Sequence, residues 1–135
     1  MEKFIDKECR AKSVSPLTLA FLGDGVYDLL IRDFLVTQAN RPVGELNRLK
    51  ISVVCCQAQS KAMKKLLDAD FLTEEEMSVY KRGRNSTVNN VPKNSSAADY
   101  HSATGFEALL GFLYLQNKID RITEIFDFAV KEELL

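Results

Sequence analysis

At 135 residues, with 46% hydrophobic and 27% charged side chains, the chain has the length of one domain and enough apolar content to bury a core. Its 18 basic and 19 acidic residues leave a formal net charge of -1, which excludes a generally polybasic nucleic-acid binder but not a local basic patch. MEKFIDKECR lacks the basic-then-apolar order of a secretory signal, and no apolar run approaches the roughly 18 residues of a membrane helix, so a cytoplasmic protein with no membrane attachment is expected.

In chain order, Ser15 followed by Pro16 is a helix start, because serine caps free backbone N–H groups and proline fits the first turn. Leu17, Phe21, Asp24, Asp28, Ile31 and Leu35 then recur at spacings of three or four, with Leu19, Leu22, Val26, Leu29, Leu30 and Phe34 on the other sides. The spacing predicts a helix wrapped on most sides by apolar neighbours. A second helix is predicted from Pro42–Glu45 towards Leu67, its buried face marked by Leu46, Leu49, Val53, Ala58, Ala62 and Leu66. Thr73 with Glu76 has the spacing of a capping box and opens a third helix ending near Gly83. Arg84 to Asp99, rich in Ser, Asn and Pro, reads as a loop. A long helix from about Tyr100 to Gln116 and an amphipathic one from about Asp120 to Glu132 complete an all-α chain, a single domain spanning 1–135.

Three cysteines, two of them adjacent at Cys55 and Cys56, do not make a disulfide framework, and one histidine, His101, makes a zinc site or a catalytic triad a poor expectation. The chemistry points instead to acids. Asp24 lies in LGDGVYDLL and Glu107 in TGFEALLGFLYL, each in an apolar helix with no basic residue within a turn. A buried carboxylate needs a partner, a proton or a metal. Asp28 has Arg32 four residues on and reads first as a structural ion pair. Small residues flank both acids, Ala20, Gly23 and Gly25 in one helix and Gly105, Ala108 and Gly111 in the other, which suggests close helix approach or backbone access to a ligand. Two close helices bringing Asp24 and Glu107 together would form a hard-oxygen site suited to Mg²⁺ or Mn²⁺. Between Glu76 and Asp99 there is no acid at all, while Lys81, Arg82, Arg84 and Lys93 fall in that interval, a pattern that suits a phosphate-bearing substrate or else a solvated connection.

FLGDGVYDLL, GELNRLKISVV and FEALLGFLYL, in that order, resemble the catalytic domain of the ribonuclease III family. FLTEEEMSVYKRGRNS and VPKN are similar to the short Mini-III branch, which lacks the appended double-stranded RNA-binding domain. The resemblance implies the ribonuclease III endonuclease-domain fold as a helical homodimer. It implies metal-dependent hydrolysis of double-stranded RNA, leaving 5′-phosphate and 3′-hydroxyl ends, with the stem of the 23S ribosomal RNA precursor as substrate. Asp24 and Glu107 then take the places of the catalytic, metal-binding acids, with Mg²⁺ as the ion and Mn²⁺ as its substitute. Lys81, Arg82, Arg84, Asn85 and Lys93 are the RNA-binding candidates, Asp28 is a candidate outer-shell acid, and a ribosomal protein is a further candidate partner. The sequence departs from the larger family at Leu17, Ala20 and Thr104, where that family has acids. A thinner acidic set leaves room for the rival reading, a noncatalytic helical dimer that binds structured RNA or a ribosomal protein.

Overall fold

The computed structural model describes residues 2–86 and 96–135, and the described residues are helical with no strand. A short 3-10 turn at Ala11–Ser13 precedes α1 (Pro16–Gln38), α2 (Val43–Val54), α3 (Cys56–Asp68), α4 (Glu74–Arg84), α5 (Ala97–Leu115) and α6 (Ile119–Ala129), and a second 3-10 turn follows at Lys131–Leu134. The expected all-α class is borne out.

Helix α5 is the axis of the molecule, with α1, α3, α4 and α6 packed against it. Every residue from Ala103 to Leu113 is buried except Glu107. Phe106, Leu109, Leu110, Phe112 and Leu113 are at most 1% exposed, and burial of each such side chain contributes about 1.5–3 kcal/mol. Glu107 is therefore a single acid in an otherwise apolar run, and the packing around it is what makes it informative.

Glycine sets the closeness of that packing. A Cβ on Gly23 of α1 would stand 1.7 Å from the Glu107 carbonyl oxygen, and one on Gly111 would stand 2.1 Å from that of Leu19. No side chain fits between the two backbones there, so α1 and α5 touch from Glu107 to Gly111. Gly83 of α4 meets Gly105 and Ala108 of α5 in the same manner. The small residues thus serve close helix approach, with one exception: a Cβ on Gly25 would meet nothing within 4 Å.

The sequence-based elements needed three corrections. The long second helix is two, because Cys55 is extended (ψ 155°) and hands the chain from α2, which packs on α1, to α3, which packs on α5 and α6. Residues 43 to 68 as one straight helix would run about 39 Å and could not follow the curvature of the core. Secondly, α1 is not wrapped on most sides. Its buried face is Leu19, Ala20, Gly23, Tyr27, Ile31 and Leu35, whereas Phe21 is 83% exposed, with Leu17, Leu29 and Val36 exposed as well. Thirdly, Ser15 occupies the N-cap position but its hydroxyl pairs with that of Thr18 at 2.8 Å and does not cap the backbone. The Thr73–Glu76 capping box forms as the spacing predicts, with reciprocal hydrogen bonds of 3.1 and 3.0 Å. The inward positions Ile122, Ile125, Phe126 and Ala129 of α6 are all buried.

Candidate active site

Asp24 follows Gly23, and Gly23 is where α1 lies against the Glu107 carbonyl, so the backbone crossing itself delivers the Asp24 carboxylate to Glu107. The two carboxyl groups are in hydrogen-bonding contact. Burial, then the charge of Asp24, then that hydrogen bond push the Glu107 carboxyl up to about 8, while a hydrogen bond from Gln59 works in the opposite direction. At that value the Glu107 carboxyl favours its protonated form at neutral pH.

The surroundings differ from the sequence-based picture in one respect. Asp24 is exposed and Glu107 half-buried, so the pair forms a mouth that opens on solvent rather than two buried acids. The reason lies in the exposed stripe of α1: Leu17, Phe21 and Asp24 share a face that the chain's own core does not cover. Asp24 and Glu107 have no ion-pair partner among the described residues, although ten other such pairs occur there. Two hard-oxygen donors side by side, one of them pushed towards the neutral form by burial and by the charge of the other, fit a small divalent ion. No cluster of three or more potential ligands occurs among the described residues, so water would complete the coordination of an ion held here.

Asp28 is placed differently. Arg32 Nε lies 2.6 Å from one of its oxygens and Lys50 Nζ 3.2 Å from the other. Slight burial would raise its carboxyl, but the hydrogen bonds from Arg32 and Lys50 outweigh that and hold it below the usual carboxylate range. Its ordinary partner is protein, as the i+4 spacing implies.

The floor of the site comes from the α2–α3 break. Tyr27 donates its hydroxyl to the Val53 carbonyl at 2.8 Å and sets its ring edge-on to Phe106 with centroids 5.3 Å apart. Burial raises the Tyr27 hydroxyl far above its ordinary range, so it remains a donor at every ordinary pH. Gln59, 3% exposed, donates Nε2 to the next carbonyl, Val54, at 2.8 Å. Sequence reasoning missed Gln59. The available signal was a glutamine four residues before Met63 and seven before Leu66, on the buried face of α3.

The basic cluster sits at the end of α4. Lys81 and Arg82 are exposed and, with Asn85 and Ser86, line an open groove of about 860 Å³. The Arg84 guanidinium lies over the Tyr80 ring, 5.5 Å from its centroid, and its Nε donates to Asn85 Oδ1 at 3.2 Å. Gly83, between them, is pressed against Thr104, Gly105 and Ala108, which fixes this helix end on α5 beside the turn that carries Glu107. Lys93 lies outside the described residues. A second groove, of about 350 Å³, runs beside α1 between Leu22, Gly25, Val26, Leu29, Tyr114 and Ile119.

Residues 17–118 match the family model of the ribonuclease III domain. The chain is similar to the Mini-ribonuclease 3 of Thermoanaerobacter sp. (strain X514), 44% identical over 119 residues that cover 88% of this chain and 82% of the relative. It is 37% identical to the Mini-ribonuclease 3 of Enterococcus faecalis over 121 residues, covering 90% and 92%. Among solved structures it resembles the crystal structure of a protein from Fusobacterium nucleatum with a TM-score of 0.82 and 32% identity, over 91% of this chain and 97% of that one.

Proposed function

The chain belongs to the ribonuclease III family and is a metal-dependent endoribonuclease acting on double-stranded RNA, and from that premise we propose that its phosphodiester hydrolysis runs at Asp24 and Glu107. The observation that carries the assignment is the contact between these two carboxyl groups at the glycine-lined crossing of α1 and α5, with no cation beside them among the described residues.

Asp24 and Glu107 hold Mg²⁺ in this reading, with Mn²⁺ able to replace it. When bound, such an ion lowers the pKa of water and neutralises charge that develops on the phosphate oxygens. The contribution of the chain is to keep the two carboxylates side by side at an open mouth, with Tyr27 and Gln59 fixing the floor. An ion held here would need the Glu107 carboxyl ionised, so its binding would be coupled to proton release. Asp28, one turn further along α1, is committed to Arg32 and Lys50, and any part it takes is that of an outer-shell acid.

Lys81, Arg82, Arg84, Asn85 and Lys93 supply the contacts to RNA phosphates. Recognition is then by shape and backbone, since the deep major groove of A-form RNA is closed to side chains. The opposing reading of the described basic residues is a local one: Glu74, Glu75 and Glu76 at the start of α4 and Lys81, Arg82 and Arg84 at its end complement the helix dipole. Salt dependence separates the two. Contacts to phosphate make replacement of Arg82 and Arg84 by alanine flatten the log-log salt slope of RNA binding, whereas dipole partners leave it unchanged.

The exposed Phe21 and the apolar groove around Gly25 and Leu29, both on α1, support the homodimer, because a two-fold contact requires one self-complementary patch. Sedimentation of a Phe21→Glu variant as a dimer equal to wild type would remove that support. The stem of the 23S ribosomal RNA precursor remains the proposed substrate, a ribosomal protein a proposed further partner, and the cytoplasm the proposed location. No helix among the described residues is long and apolar enough to cross a membrane.

The deciding experiment is cleavage of a labelled RNA stem by wild type and by Asp24→Asn, with Mg²⁺ and with chelator. Cleavage by the wild type alone, and only with metal, is the expected result. Metal-dependent cleavage by a folded Asp24→Asn protein at the wild-type rate would move the chemistry away from this pair.

A further inference from the structure

Three polar or charged side chains are buried among the described residues: Gln59, Glu76 and Thr104. Two of them are satisfied within the protein. Glu76 is held by Arg121 and Thr73, and the Thr104 hydroxyl donates to the Tyr100 carbonyl at 3.0 Å. Gln59 is the exception, because its Oε1 is fully enclosed and has no hydrogen-bond partner among the described residues. Enclosed atoms of this kind are uncommon in folded proteins, and Arg41 Nη1 and His101 Nδ1 are the others among the described residues.

The other end of the same amide shows what the side chain is committed to. Nε2 carries two hydrogens. One goes to the Val54 carbonyl at 2.8 Å, and the same side chain lies near enough to the Glu107 carboxyl to work against its upward shift. A carbonyl can only accept, so the Val54 contact fixes which end of the amide is nitrogen and removes the usual ambiguity of a glutamine. A brace between α2 and α3 needs only the Val54 bond. The second contact crosses to α5 and reaches the one acid in its buried run. Gln59 therefore spans from the end of α2 to the carboxyl group beside Asp24, and its position on the rigid face of α3, with Ala62, Met63 and Leu66 packed in the core, leaves it little freedom to move.

We propose that Gln59 is a positioning residue for the metal-holding carboxylate: anchored on Val54, it aims Glu107 towards Asp24. This rests on the reading of Asp24 and Glu107 as the metal-holding pair. Removing a group that hydrogen-bonds to a metal-ligating side chain weakens metal affinity by about 10–100-fold in comparable sites.

The test is Mn²⁺ binding, followed by the loss of the free-ion electron paramagnetic resonance signal, on wild type, Gln59→Met, Gln59→Asn and Asp24→Asn, with thermal unfolding in chelator recorded for each. Methionine keeps the volume and removes both donors. Asparagine keeps the amide but is one methylene too short to span from Val54 to Glu107, so it stands in if the methionine variant does not fold. The expected result is Mn²⁺ binding about tenfold weaker in the folded Gln59 variants, with the Mg²⁺ concentration for half-maximal cleavage raised by a similar factor. Folded Gln59 variants that bind Mn²⁺ within about twofold of wild type, while Asp24→Asn loses it, overturn the role of Gln59 and leave the acid pair standing. If Asp24→Asn binds Mn²⁺ as tightly as wild type, the acid pair is not the site and the inference falls with it.

Discussion

Glu76 is buried and Glu107 half-buried, each on a helix that packs in the core, and their surroundings are opposites. Arg121 grips Glu76 with Nε and Nη2, each 2.9 Å from a different carboxylate oxygen, and the Thr73 N–H adds a third bond at 3.0 Å. The guanidinium is itself spread over the Phe71 ring, 4.6 Å from its centroid. Burial would raise Glu76, but Arg121 more than offsets it and holds the carboxyl below its ordinary range. Around Glu107 the neighbour is another acid, and the carboxyl goes up to about 8. An acid that the fold uses for its own cohesion is given a cation by the fold. On the proposed reading, an acid left to face a second acid is poised for a cation that arrives from outside.

The largest consequence is that two similar substitutions should have opposite effects. Glu107→Gln should lower cleavage by about a thousandfold or more, since an amide cannot replace an anionic ligand, and should leave metal-free stability unchanged or raised because it removes a strained carboxyl. Removing the cation from Glu76 with Arg121→Ala should instead cost about 3–5 kcal/mol of stability, the usual result of leaving a buried charge unpaired. The rate per folded molecule should then stay at the wild-type value. Urea unfolding and cleavage of one RNA stem, measured on both variants, test the pair. Comparable loss of stability in both would erase the distinction.

The two acids also predict opposite slopes with pH. The Glu107 carboxyl ionises near 4.5 in the unfolded chain and near 8 in the folded one, so between those values the folded state holds a proton that the unfolded state has released. Its contribution to metal-free stability is complete below 4.5 and is lost as pH rises through 8, a fall of the order of 2 kcal/mol once its partial access to water is allowed for. Glu76, lowered, contributes above its ordinary 4.5 and loses that as pH falls through its folded value. Unfolding in chelator at pH 5.5 and 8.5 should show the decline, and Glu107→Gln should abolish it. Mn²⁺ affinity should move in the other direction, tightening as pH rises towards 8 and the competing proton leaves.

Most of the candidate site's geometry was legible because its parts are local. Helical spacing gave α1 and α5, and the glycines beside Asp24 and Glu107 announced a close crossing that the backbone contacts at Gly23 and Gly111 bear out. Asp24 was read as buried because apolar spacing cannot separate a core face from an exposed one, and Leu17 and Phe21 belong to the second kind. The break at Cys55 was hidden because no glycine or proline marks it. Arg121 and Glu76 are 45 residues apart, and no local pattern pairs them. Gln59 escaped for the same reason, since its reach to Glu107 depends on how α3 lies against α5.

The smallest expected effect separates Tyr27 from Gln59, which hang from the adjoining carbonyls of Val53 and Val54. Tyr27→Phe deletes one hydroxyl from a buried bond and leaves the Val53 carbonyl without that donor, at a cost of about 1–2 kcal/mol. The ring stays edge-on to Phe106, so α1 and α5 should keep their crossing and the acid pair its geometry. Stability should fall while Mn²⁺ affinity stays within about twofold of wild type, in contrast to the Gln59 variants, for which affinity is the larger change. A Tyr27→Phe protein that loses Mn²⁺ as strongly as Gln59→Met would mean that the whole floor, rather than one amide, aims Glu107. The division between residues that hold the fold and residues that aim the acid would then have to be drawn further from the site, at the α2–α3 break itself.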